Sequence, residues 1–405
     1  NLLMLSNRLE DFLGTIKMSL ACYHRIDNNG TLELEGRVLP NFCFLKAIFL
    51  LTFVSSLFFP FDTLASNSWY HENQKSDQNQ RVKVNKDILM GIGFLYNERF
   101  DDAEQLFHKV VVDSPSMPIG YFYLAMVTWS RLASGFWSPA TAREYKERIN
   151  RTIEVARHRI ASGAEDYYAF FYLGGALGFK GRFELMEGNW FSSFSLAIKA
   201  VEALKTSLKM NPNNPDVLFG LGIFDYYTAR LSGIVRFLSY LFIHRGNKEE
   251  GLRKLHLAAR EATYSATEAK SMLIHIYMFL EEDFLKALAL IEDLTKKYPE
   301  SPRHWILLGV CYVRLGMDHE YHRTVSFFRR ISRQAKTSYE AGIWLRRAIY
   351  LETIYDLYHA RYDLARAKLR TILNDPDPTN DPAMIAWPLL KVGMSYDLEG
   401  NRAQA

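Results

Sequence analysis

The chain has 405 residues, 48% hydrophobic and 23% charged, which is a globular composition with enough apolar surface for a large core. Its formal charge of +4 is small for this length and gives no electrostatic case for nucleic acid. The three cysteines, Cys22, Cys43 and Cys311, are too few for a disulfide framework and match no zinc-ligand spacing, which argues against a structural metal.

The chain begins with Asn, and its first 45 residues carry no clean periodicity. Residues 1–45 are therefore read as an upstream or non-native segment. Lys46 then precedes the apolar run AIFLLTFVSSLFF, Ala47–Phe59, followed by Pro60. As a helix this run would span about 20 Å at ~1.5 Å per residue, short of a hydrocarbon core of about 30 Å. Thr63 and Ala65 supply small residues at the −3 and −1 positions for cleavage after Ala65. The order is that of an export signal over residues 46–65, with an uncleaved membrane anchor and a buried helix as the other readings. Translation from a non-AUG start near Val38 or Leu39 would make Lys46 the charge ahead of the apolar run. The expected location is exported or periplasmic in a bacterial setting, with membrane-anchored or cytoplasmic as alternatives. Export would leave Cys311 as the only cysteine of the mature chain. Residues 66–84 read as a polar linker.

From Lys86 onward amphipathic helical stretches alternate with short polar breaks, and no stretch shows the period-two alternation of a strand. The expected class is all-α. Trp305, Leu308, Gly309 and Tyr312, with Gly316 after them, have the spacing W-x2-L-G-x2-Y. Ala103, Phe107 and Pro115, preceded by Met90, Gly91 and Phe94, have the spacing of the matching second helix. These patterns resemble the tetratricopeptide repeat, a helix-turn-helix unit of about 34 residues. Small residues sit where the two helices approach, large ones fill the space to the next pair, and the proline ends the second helix. Further copies run through Phe170, Leu173, Gly174, Leu177 and Gly181 with Ala200, Leu204 and Pro212. Others come at Leu218, Leu221 and Gly222 with Leu255 and Ala258, at Ala287 with Pro299, and, more weakly, at Ala365 and Leu369. Leu389, Gly393, Tyr396 and Gly400 fit a final first helix and turn, so the natural chain is expected to continue past Ala405. The domain 85–405 is thus read as an α-solenoid of tetratricopeptide-like repeats, roughly six units, truncated at its C-terminus. Two copies carry insertions, FELMEGNWFSSFSL and DYYTARLSGIVRFLSYLFIHRGNKEE, of the kind that cluster on one face of an array and often serve binding.

The second insertion and the stretch after it, with Leu231, Phe237, Leu238, Gly246, Gly251, Leu252 and Leu255, resemble the inclusion body clearance family and the tetratricopeptide repeat protein 39 group over about residues 160–300. The turn Phe242, Ile243, His244, Arg245, Gly246 departs from that family's Gly-Phe-x-Gly pattern. The resemblance implies a non-catalytic repeat protein acting in proteostasis or at lipid surfaces.

Motifs for chemistry are absent. The segment Asp318, His319, Glu320, Tyr321, His322 is not a zinc site, because His319 and His322 are three apart and the motif needs four. No phosphate loop, nucleophile elbow or dinucleotide turn occurs, and no cofactor is expected. The aromatic run Tyr167, Tyr168, Phe170, Phe171, Tyr172 reads as core between helices. The candidate site comes from geometry. Residues two, five, nine and twelve of each unit line the concave face, here Ile88, Ile92 and Leu95; Tyr168 and Phe171; Phe219, Ile223 and Tyr226; and Arg303, Ile306, Val310 and Val313. The Lys and Asn that clamp a terminal carboxylate in chaperone-tail binders are missing from these positions. The lining suits an apolar or amphipathic helix, either a partner's or an inserted segment of the chain itself. Ile234–Ile243 is read either as a buried crossover helix or as a peripheral membrane contact. The expected function is a non-enzymatic protein–protein interaction scaffold, with a membrane- or lipid-associated repeat protein of the inclusion-clearance type as the alternative.

Overall fold

A computed structural model describes residues 84–134, 138–163, 166–230, 246–377, 381 and 383–405. These lie in one compact unit, Val82–Ala405. The readings of residues 1–45, 46–65 and the linker, and that of Ile234–Ile243, fall outside the described residues. The exception is Val84, which stands in the first helix rather than at the end of the linker.

Among the described residues every regular element is a helix. In chain order they are α1 (84–96), α2 (Phe100–Asp113), α3 (Pro118–Ala133), α4 (Pro139–Ala161), α5 (Tyr167–Met186), α6 (Trp190–Met210), α7 (Asp216–Arg230) and α8 (Lys248–Glu261). Next come α9 (Ala266–Phe279), α10 (Phe284–Lys297), α11 (Pro302–Arg314), α12 (Asp318–Gln334), α13 (Ser338–Tyr358), α14 (Tyr362–Leu373) and α15 (Ala383–Leu398). Successive helices pack on one another along the array, as in an α-solenoid of helix pairs. The odd-numbered helices are the first of each pair. None of the described helices is long and apolar enough to cross a membrane.

Local chemistry sets the helix ends. Ser138, Asp166, Asn247, Asp283 and Thr337 are N-caps whose side-chain oxygens accept from backbone N–H groups of the first turn. Within pairs the same turn recurs, in which a residue with positive φ is followed by an N–H that donates to a carbonyl of the preceding helix. Gly316 (φ 67°) and Gly400 (φ 86°) take this place, with Met317 N donating to Tyr312 O at 2.9 Å and Asn401 N to Tyr396 O at 2.8 Å. Glu98 and Ala360 adopt it without being glycine, at φ 61° and 56°.

Two details differ from the sequence reading. Gly181 is not a turn residue: it lies inside α5, packed on Ser193 and Leu196 of α6, and the turn falls at Gly188 (φ 84°). The insertion FELMEGNWFSSFSL therefore extends both helices of one pair into a longer hairpin, which leaves the contact between Gly174 and Ala200 intact. A Cβ on Gly174 would stand 3.0 Å from the Ala200 carbonyl oxygen, and one on Gly222 would stand 3.0 Å from Gly251 O. Gly309, by contrast, is pressed by Leu351 of α13. Its partner position on α12 holds Tyr321, which stacks on Tyr355 with ring centroids 4.3 Å apart, and a ring of that size keeps α12 back and lets α13 close in.

One continuous core runs from Val84 to Leu351, and a smaller one joins Tyr350, Leu369, Ile372 and Met384 at the C-terminal end.

Candidate partner-binding face

The positions expected on the concave face lie on the first helices. Of the positions expected there, Ile88, Ile92, Leu95, Phe171, Tyr226, Ile306 and Val313 are buried, and Tyr168, Phe219, Ile223, Arg303 and Val310 are half-buried. None stands exposed. The half-buried residues come from α5, α7 and α11.

A long-range contact also joins distant parts of the array, while Tyr226 is held by its own neighbours, beside Gly251 of α8 and with its hydroxyl donating to Glu281. The array curves until the end of α1 meets the start of α9 and the connection between α10 and α11. The Tyr96 hydroxyl donates to Glu268 Oε2 at 2.7 Å, and the Tyr96 ring lies 5.3 Å from that of Tyr298. The backbone N–H of Glu300 donates to Asn97 Oδ1 at 3.1 Å. Glu98 Oε1 accepts from Ser301 Oγ at 3.3 Å and from the backbone N–H of Arg303 at 3.4 Å. One superhelical turn thus closes over five helix pairs.

Inside the turn the first helices present tyrosines. Tyr168 packs edge-on against Tyr264 at 6.2 Å and stacks on Tyr172 at 6.4 Å, and Phe122 bridges Tyr123 and Tyr172. Burial, with the nearby charge of Asp216, pushes the phenols of Tyr123 and Tyr172 well above their ordinary range. Asp216, itself buried, accepts backbone hydrogen bonds from Thr263 (3.2 Å), Tyr264 (2.8 Å) and Ser265 (2.7 Å). It thereby ties α7 to the loop that carries Tyr264. On α9, His275 keeps solvent exposure but is crowded by surrounding protein, and this desolvation, with the guanidinium charges of Arg182 on α5 and Arg303 on α11, lowers its pKa. Tyrosines thus cluster here, with Asp216 and Glu268 on one side and Arg182 and Arg303 near His275.

The aromatic run of α5 divides as a core run should. Phe171 and Tyr172 are buried, while Tyr167, Tyr168 and Phe170 are half-buried. His319 is exposed beside Glu320, and His322 packs on the Tyr321 and Tyr355 rings. Cys311 is buried, and desolvation pushes its thiol up to about 12. Sequence reasoning missed Tyr96, Glu98, Tyr123, Asp216, Glu268 and Tyr298. Their partners lie tens to hundreds of residues away, and no local periodicity marks them.

Residues 281–316, covering α10 and α11, match the family model described as tetratricopeptide repeat. No curated protein sequence matches the chain. Among solved structures, a tetratricopeptide repeat protein from Parabacteroides merdae is 9% identical and covers 77% of this chain and 99% of its own, with a TM-score of 0.31. The tetratricopeptide repeat domain of P58(IPK) is 14% identical and covers 78% and 99%, with a TM-score of 0.21.

Proposed function

We propose that the protein is a non-enzymatic protein–protein interaction scaffold whose concave face receives an apolar or amphipathic helix of a partner. What supports this reading is the series of helix pairs among the described residues, whose first helices carry Tyr168, Phe219, Ile223, Arg303 and Val310 half-buried. Apolar side chains that keep partial access on a concave surface suit a helix laid in a groove. The reading of residues 46–65 as an export signal puts this scaffold outside the cytoplasm.

The test is site-specific photo-crosslinking in the source cells, with p-benzoylphenylalanine at Phe219 or Val310, and at exposed Leu285 or Val112 for comparison. Crosslinks confined to Phe219 and Val310, mapping to a helix of one protein, support the proposal. Crosslinks from Leu285 and Val112 alone would move the binding surface elsewhere. The mature N-terminus from the same cells checks export: Ser66 is expected, and an intact 1–65 segment would overturn it.

A second reading, contact with lipid as the inclusion-clearance resemblance implies, is favoured by the tip of the α5–α6 hairpin. There Phe191 is 94% and Trp190 51% exposed, within the region 160–300 that the resemblance covers though outside the residues that carry it. Aromatic side chains at an apex suit an interface where one side is apolar and the other wet. Liposome flotation of the wild type against a Trp190→Ser, Phe191→Ser double variant tests it, with a Phe237→Ser, Leu241→Ser variant testing membrane contact through Ile234–Ile243. Loss of flotation in either variant supports lipid contact, and unchanged or absent flotation removes it.

A further inference from the structure

The helix α11 begins in an unusual way. Its N-cap, Ser301, has the extended backbone of a capping residue and is followed by Pro302 at the first helical position, yet its hydroxyl caps nothing in its own helix. It donates instead to Glu98, and the same carboxylate oxygen accepts from the Arg303 N–H, 205 residues away in sequence. Glu98 therefore caps α11 from the turn that ends α1. A carboxylate at this end also complements the positive end of the helix dipole. Glu98 is carried there by a left-handed backbone (φ 61°), a conformation that a charged residue with a long side chain seldom takes.

We infer that Glu98 and Ser301 form a latch that closes the superhelical turn and controls access of a helical partner to the concave face. The contact joins two parts of the array that no neighbouring helix pair holds together, and it consists of a few side chains, Tyr96, Asn97 and Glu98 on one side. When the carboxylate withdraws, the Ser301 hydroxyl is released and stands where an N-cap oxygen accepts from the N–H groups of the first turn. The Arg303 N–H is then satisfied in both states, by Glu98 when closed and by Ser301 when open. A switch of this kind leaves no orphaned donor, so neither state is penalised by an unpaired backbone group. On opening, the Tyr96 and Tyr298 rings separate and the half-buried inner positions gain the width that a helix needs.

Control of partner access rests on the concave-face reading proposed above, whereas the latch does not. Two measurements keep them apart. In the full chain, with Cys22 and Cys43 changed to Ser, nitroxides at Gln105→Cys on α2 and Lys296→Cys on α10 report the separation across the contact by pulsed electron spin resonance. Both sites are exposed. Glu98→Ala is expected to raise a longer-distance population on the order of tenfold, the effect of losing one helix cap. Tyr96→Phe, which keeps the ring and removes only the bond to Glu268, is expected to do so more weakly. Adding Ser301→Ala to Glu98→Ala removes the replacement cap, and faster amide exchange is expected in the first turn of α11. Identical distance distributions in wild type, Glu98→Ala and Tyr96→Phe would overturn the latch. Crosslinking at Phe219 in the source cells reads partner access, and its yield is expected to rise with the longer-distance population. A rise in distance with unchanged crosslinking would overturn the control of access while the latch stands. Crosslinks absent from Phe219 and Val310 in every variant would instead overturn the concave-face reading.

Discussion

At residue scale, close approach decides which glycines matter. A Cβ on Gly251 would meet the backbone nitrogen of Tyr226 at 2.6 Å, and backbone yields little. Gly251→Ala is expected to lower stability by about 1–3 kcal/mol despite better helix propensity, as overpacking does. Gly93 faces open space, and Gly93→Ala is expected to stabilise by up to about 1 kcal/mol. Urea midpoints of the two variants give the contrast, and a destabilised Gly93→Ala would contradict it. His304 offers a pH test. Buried, and beside Arg303, its imidazole is pushed down to about 3. The unfolded chain therefore takes up the proton first, near pH 6.5. Stability from this group is complete above pH 6.5 and falls as pH drops toward 3, with a slope of up to about 1.4 kcal/mol per pH unit. Urea midpoints at pH 7 and pH 5 are expected to differ less in His304→Gln than in the wild type, and an equal difference would remove His304 as the source.

At the scale of elements, the connection between successive pairs depends on single buried acceptors. Asp216 opens α7 and receives three backbone N–H groups from the loop before α9. Removing the carboxylate strands donors in a buried loop, which costs about 1–3 kcal/mol. Asp216→Ala is expected to destabilise by that amount and to speed amide exchange at Thr263, Tyr264 and Ser265, leaving α2 unaffected. Unchanged exchange at those three amides would show that other groups hold the loop. The α5–α6 hairpin illustrates the opposite case, in which a long insertion leaves the pairing unchanged. It adds residues at the far end of both helices, and the contact near Gly174 and Ala200 stays as it was.

At the scale of the whole molecule, the closure between α1 and α11 changes how the array should unfold. An open solenoid is held only by nearest neighbours, so its ends fray independently. Here the first pair also touches the connection before α11. Unfolding of the first pair and of α10 with the α11 that follows it is expected to coincide in urea, followed by local probes at Gln105 on α2 and Lys296 on α10. A first pair that melts well before α11 would show that the closure adds little.

The alternation of apolar and polar positions at helical spacing was enough to read an all-α array, and small residues twelve apart marked pairs such as Gly91 with Ala103. These features are local, since a helix face is set by spacing within a few turns. The expected groove positions were read from the same local spacing, as one face of the first helices. Their burial was not. It depends on tertiary neighbours that helix spacing does not specify, such as Gly251 and Glu281 around Tyr226. Likewise Gly181 matched a turn position in spacing, yet only the packing of α6 against it shows that the helix continues. Sequence by itself determined the units and the faces they share. The tertiary structure alone decided where the array closes on itself, because that outcome belongs to contacts between residues about two hundred positions apart.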